Sequence, residues 1–188
     1  MKNWLFNPFV YIAGTKAFII GWAIILVTAV LAFFTHTHFD GAIDIHFGRP
    51  TPWINCIIEP LVDWTFLVIC LYILGRIASE SSVRFIDFAG TLALARWPML
   101  LATFLGFIPV PHIDPKTSLK DIEITAMTPS VIILGVLTIP LIVWLVALLY
   151  NAFSVSANLK GRKAAWTFIA GLVMAEIVSK IILMNISF

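Results

Sequence analysis

Apolar residues in this chain run in long, mostly apolar stretches instead of alternating or recurring every third or fourth position. Four stretches, about 17–34, 53–75, 130–153 and 164–184, approach or exceed the ~20 residues a helix needs to cross the hydrocarbon core of a bilayer. A fifth, about 92–110, is shorter and carries Arg96 inside it. The pattern predicts an all-α fold: a polytopic membrane bundle of about five transmembrane helices, forming one domain over residues 1–188.

The connection after the second stretch reads differently. Over residues 76–95, Ile77, Val83, Phe85, Ile86 and Phe88 are interleaved with Arg76, Glu80, Arg84 and Asp87. That mixture predicts an interfacial amphipathic helix between the second and third spans. Residues 7–16, with Asn7, Pro8, Phe9, Val10 and Tyr11, predict a similar interfacial lead into the first span.

Composition excludes a soluble enzyme of ordinary kind. Of 188 residues, 61% are hydrophobic and 12% charged, against roughly 25% charged in soluble domains. Seven Trp and fifteen Phe suit a chain that anchors aromatic rings at headgroup level. The first apolar run is longer than a leader segment and ends in Phe33, Phe34, Thr35 and His36, without small residues for cleavage, so it is expected to be a retained span. Cys56 and Cys70 share one stretch. At about 1.5 Å per residue they stand roughly 21 Å apart along a helix, too far for a disulfide, and are expected to be buried apolar filler.

Charge placement sets an orientation. Lys2, Lys16, Arg76, Arg84, Arg96, Lys160, Arg162 and Lys163 fall on one side of the alternating spans, and Arg49, Lys116 and Lys120 on the other. Cytoplasmic loops carry the excess of Lys and Arg, so the N-terminus is expected inside and the C-terminus outside. Lys160, Arg162 and Lys163 are expected to meet anionic lipid headgroups, not nucleic acid.

Several short motifs resemble the Yip1 family of five-span membrane proteins in its compact bacterial form. They are Asn7-Pro8-Phe9, Ile73-Leu74-Gly75, the segment from Ala93 to Leu101, and Leu149-Tyr150-Asn151-Ala152-Phe153 followed by Gly161-Arg162-Lys163-Ala164-Ala165. The resemblance implies a five-span fold in a bacterial cytoplasmic membrane and no established biochemical activity. Eukaryotic members are associated with small GTPases and vesicle trafficking through a long N-terminal region. Only about sixteen residues precede the first span here.

Two constellations could carry chemistry. The first outside loop holds His36, His38, Asp40, Asp44 and His46 within eleven residues. Imidazole and carboxylate are the nitrogen and oxygen ligands of zinc and related divalent metals, although the spacing matches no standard metal motif. A water-exposed loop whose His and Asp bond locally accounts for the same residues. His112, in the second outside loop over residues 109–130, lies on the same side and could join them.

The second constellation is polar groups at membrane depth: Glu59 and Asp63 on one face of the second span, Glu176 and Lys180 on the fifth, and Arg96. A charge at the bilayer centre costs about 2.5–3.5 kcal/mol on insertion scales, so such groups turn to the bundle interior. Ion pairs Glu176–Lys180 and Glu59–Lys180 could lock spans together, with a remaining acid reaching Arg96. Alternatively Glu59, Asp63 and Glu176 line a path for protons or cations. Pro60, Pro98 and Pro140 are expected to bend the helices that hold them.

Glycine-rich phosphate loops, nucleophile elbows and helical zinc-protease pairs do not occur in the sequence. The reading that follows is a non-enzymatic membrane scaffold or assembly and trafficking factor. Its partners would be membrane lipids and a protein partner or a second copy. A small proton or cation transporter and a metal-binding membrane protein are the alternatives.

Overall fold

A computed structural model describes residues 2–48, 50, 52–110 and 128–186. The segments are α1 (Lys2–Phe6), a 3-10 turn at Pro8–Val10, α2 (Gly14–Thr35), a short ribbon of β1 (Thr37–His38) and β2 (His46–Phe47), α3 (Trp53–Ala78), α4 (Phe85–Ala95), α5 (Trp97–Leu105), α6 (Pro129–Ala157) and α7 (Gly161–Ile186). α4 and α5 together make one broken span, giving, among the described residues, five spans long and apolar enough to cross a membrane. The protein is an all-α membrane bundle.

The order of packing follows from side-chain size. Lipid tails are as apolar as Leu, so membrane helices associate through close fit and interhelical bonds, which favours small residues at contacts. α2 and α4 meet through such a seam. A methyl group added at Gly21 would stand 2.4 Å from the Leu94 backbone nitrogen, and one at Gly90 2.3 Å from the Gly14 carbonyl oxygen. α7 approaches α3 at Gly171, where an added methyl would meet Leu71 at 2.6 Å. Polar groups complete the contacts: the Thr91 and Ser156 hydroxyls bond at 2.8 Å between α4 and α6, and the Trp64 indole donates to the Ala89 carbonyl at 3.1 Å.

This packing moves one expected element. The segment over 76–95 is not an interfacial helix. α4 begins at Phe85, and every residue from Phe88 to Ala95 is buried in the bundle. The physical reason is in its sequence: Phe88-Ala89-Gly90-Thr91-Leu92-Ala93-Leu94-Ala95 has no charge and several small side chains. A helix apolar on all sides is buried on all sides. The charges that suggested an interface stand at its mouth, where Arg84 holds Asp87 through bonds of 2.8 and 3.0 Å. The third span therefore starts earlier than residue 92.

The N-terminal segment lies against α6. The Trp144 indole donates to the Leu5 carbonyl at 3.0 Å and the Asn151 amide to the Phe6 carbonyl at 2.8 Å. Phe9 is buried, while Trp4 and Tyr11 stack at 4.8 Å on the exposed side. The basic turn before α7 is tight: Asn158 and Gly161 both take left-handed backbone conformations, at φ 50° and 63°.

At the opposite end from that turn, the α2–α3 connection does not lie flat on the surface. His36 closes α2 in a left-handed conformation at φ 50°. The strands then pair antiparallel, Thr37 opposite Phe47 and His38 opposite His46. Between them residues 39–45 dip into the bundle, burying Phe39, Ala42 and Ile45. Residues 111–127, which include His112, Lys116 and Lys120, lie outside the described residues.

Candidate functional site beneath the α2–α3 loop

The site is assembled from three spans and one loop. On α3, positions 55, 56, 59, 60 and 63 recur at helical spacing and are all buried, which turns Glu59 and Asp63 inward together. Pro60 sits between them and cannot donate to the Cys56 carbonyl, a local opening of the helix ladder. Arg96 stands where α4 stops and α5 starts. Pro98 in the first turn of α5 has no N–H for the Leu94 carbonyl, so the helix breaks there. α7 brings Glu176 and, one turn on, Lys180.

Asp63 and Arg96 form the floor. They meet at 3.4 Å, with side chains 0% and 2% exposed. The second guanidinium nitrogen of Arg96 donates to the Ala42 carbonyl at 3.1 Å. Asp63 uses only one carboxylate oxygen, and the other, Oδ1, is buried without a partner. A cavity of about 10 Å³ opens beside Arg96, lined also by Ile25, Thr28, Phe39, Pro60 and Met99. That is near the ~10–15 Å³ that admits one water molecule.

Glu59 and Glu176 form the walls, and both hold the main chain of the loop. Glu59 accepts the Phe39 N–H at 2.9 Å and stands 2.9 Å from Nδ1 of His38. Glu176 accepts the Ile43 N–H at 3.0 Å. Gly41 is what lets the loop come so close: a methyl group there would stand 2.4 Å from the Glu176 carboxylate. Lys180 hydrogen-bonds Asp44 and lies 3.6 Å from Glu176. Three charged groups from three different spans, Glu59 and Arg96 buried and Glu176 half-buried, thus bind two main-chain N–H groups and one carbonyl of a single loop.

This arrangement sorts the expected contacts. The Glu176–Lys180 pair is present and an acid does reach Arg96, namely Asp63. The Glu59–Lys180 pair is not, because Glu59 is taken by His38 and the Phe39 amide while Lys180 is drawn to Asp44. The residues that sequence reasoning missed are Phe39, Ala42 and Ile43, which act through their backbones. Their signal was legible as apolar side chains in a loop otherwise rich in His and Asp.

The expected metal ligands separate into two groups. Asp40, Asp44 and His46 gather with ligand atoms within 4.8 Å of one another. His38 is turned to Glu59, and His36 stands exposed at the end of α2. One imidazole and two carboxylates suit a divalent metal such as zinc. Yet each ligand is already matched: Nδ1 of His46 lies 2.7 Å from Asp40, and the Lys180 ammonium holds Asp44. The lysine supplies the positive charge that an ion would bring. The hydrogen bond from His46 and its charge outweigh the opposing effect of burial and hold the Asp40 carboxyl below its ordinary 3.8. The same bond, against burial and helped by the charges of Asp40 and Asp44, lifts His46 above its ordinary 6.5.

Cys56 and Cys70 are both free and buried. No family model, curated protein or solved structure matches the chain.

Proposed function

We propose that this protein is a five-span integral membrane protein that works without catalysis, as a scaffold or assembly and trafficking factor of Yip1-like type in a bacterial cytoplasmic membrane. The observation that carries the reading is where the intramembrane charges go. Glu59, Glu176 and Arg96 each spend a bond on the outer loop, and Asp63 spends its own on Arg96. Groups engaged in this way hold spans in register, the best-attested use of buried polar pairs. The Yip1 assignment itself rests on the short motifs Asn7-Pro8-Phe9 and Leu149-Tyr150-Asn151-Ala152-Phe153. The distribution of Lys and Arg supports a cytoplasmic N-terminus and an outer C-terminus.

A scaffold has partners. Cross-linking in native membranes followed by native mass spectrometry should yield a second copy or a protein partner. Bare monomers with no cross-linked product contradict the reading.

A second reading, a small proton or cation transporter, is favoured by one observation: the buried, unpartnered Oδ1 of Asp63 near a water-sized cavity. Its test is proton flux in liposomes. Flux that Asp63→Asn abolishes would put transport first, and flux no greater than in protein-free vesicles removes it.

A further inference from the structure

The outer loop is bonded to the bundle in the way a ligand is bonded to a receptor. Its apolar side chains Phe39 and Ala42 fill the interior, while its main chain offers two N–H groups to carboxylates and one carbonyl to a guanidinium. A loop built only to join two spans has no need of charged side chains from three helices, since loops satisfy their backbones in water. Charged side chains at membrane depth mark substrate paths or sites by default. Broken helices near the midplane are a recurrent way to build such sites, and here the α4–α5 break supplies Arg96.

We propose that residues 38–45 are a tethered plug. Its withdrawal opens a site toward the outer face, floored by Asp63 and Arg96 and walled by Glu59 and Glu176. The inference depends on neither functional reading above. The chemistry of the ligand follows from what the plug leaves behind. Three acidic side chains (Glu59, Asp63 and Glu176) then face two cations (Arg96 and Lys180). Glu59 and Glu176 lose N–H donors, and Arg96 loses a carbonyl acceptor. The site therefore takes a small molecule with an ammonium or amide N–H beside a carbonyl or carboxylate, the pattern of a short unblocked peptide. The unpartnered Oδ1 of Asp63 offers one further acceptor on the floor.

The chain contains its own reporter. Cys56 lies on the same buried face of α3 as Glu59 and Asp63, and is 1% exposed. In a Cys70→Ala background, a bulky water-soluble maleimide should label Cys56 of the detergent-solubilised protein slowly. Glu59→Gln/Glu176→Gln should raise the labelling rate at least tenfold. Gly41→Val should do the same without altering a wall charge, since its side chain would strike the Glu176 carboxylate. Trialanine at millimolar concentration should slow labelling of the Gly41→Val protein in proportion to occupancy, and should fail to do so once Glu59→Gln is added. If Cys56 of well-folded Gly41→Val, judged by circular dichroism and an intact melting transition, reacts no faster than in the parent, the plug is wrong. If Cys56 is opened and trialanine leaves its labelling unchanged, the assigned ligand class is wrong.

Discussion

Asp63 and Arg96, thirty-three residues apart and on different spans, meet at 3.4 Å in the interior of the bundle with almost no exposure. Removing one partner leaves an uncompensated buried charge, which costs roughly 3–5 kcal/mol. Arg96→Met should therefore cost more than Asp63→Leu/Arg96→Met, in which neither charge remains. Reversible unfolding in mixed micelles measures this. A loss in the double variant equal to the sum of the Asp63→Leu and Arg96→Met losses would mean that the pair does not interact.

The α2–α4 seam is the next most sensitive place. Gly90→Ala would set a methyl against the Gly14 carbonyl at 2.3 Å, and a backbone atom cannot rotate away. Overpacking of this kind costs about 1–3 kcal/mol. At Gly135 in α6 an added methyl meets no atom within 4 Å. Thermal melting should fall for Gly90→Ala and hold or rise for Gly135→Ala. The opposite order would refute the seam.

The Asp40–His46 pair gives the loop a pH dependence whose sign follows from the two directions. His46 titrates above its ordinary 6.5 in the folded protein, so its contribution is complete below 6.5 and is lost as pH rises through the raised value. Asp40 titrates below its ordinary 3.8, so its contribution is complete above 3.8 and is lost as pH falls through the lowered value. The pair is fully effective between those limits. Both side chains are well exposed, at 59% and 41%, so solvent screening holds the effect to the ~0.2–1 kcal/mol of surface pairs. NMR titration of the His46 ring should give a midpoint above 6.5 that Asp40→Asn lowers. A midpoint unmoved by Asp40→Asn would remove the pair.

Lys180 should compete with metal at Asp40, Asp44 and His46. Calorimetric titration with zinc should show weak binding to the natural protein and tighter binding to Lys180→Met, with His46→Ala abolishing the gain. Tight stoichiometric binding to the natural protein would show that the lysine does not fill the metal's role.

Much of the fold is legible in the sequence because bilayer thickness imposes span length. The stretches read at 17–34, 53–75, 130–153 and 164–184 lie within α2, α3, α6 and α7. The third span was harder. Arg84 and Asp87 at its mouth give a local mixture of charge and apolar residues that resembles a surface helix, and only their pairing with each other reveals them as the rim. The acids Glu59, Asp63 and Glu176 stand out as costly residues in apolar runs, so their inward placement is readable. Their partners are not, because the choice between Lys180 and a backbone amide depends on how a loop folds into the bundle. Residues 39–45 hold a clue in Phe39, Ala42, Ile43 and Ile45, apolar side chains that a surface loop does not require.

The central claim is that the glutamates of α3 and α7 hold the α2–α3 loop by its backbone. Amide hydrogen exchange in nanodiscs, resolved to single residues, tests it directly. Phe39 and Ile43 should be protected in the natural protein, with Glu59→Gln speeding exchange chiefly at Phe39 and Glu176→Gln chiefly at Ile43. Exchange of both amides at the rate of a free chain in the natural protein would contradict the account.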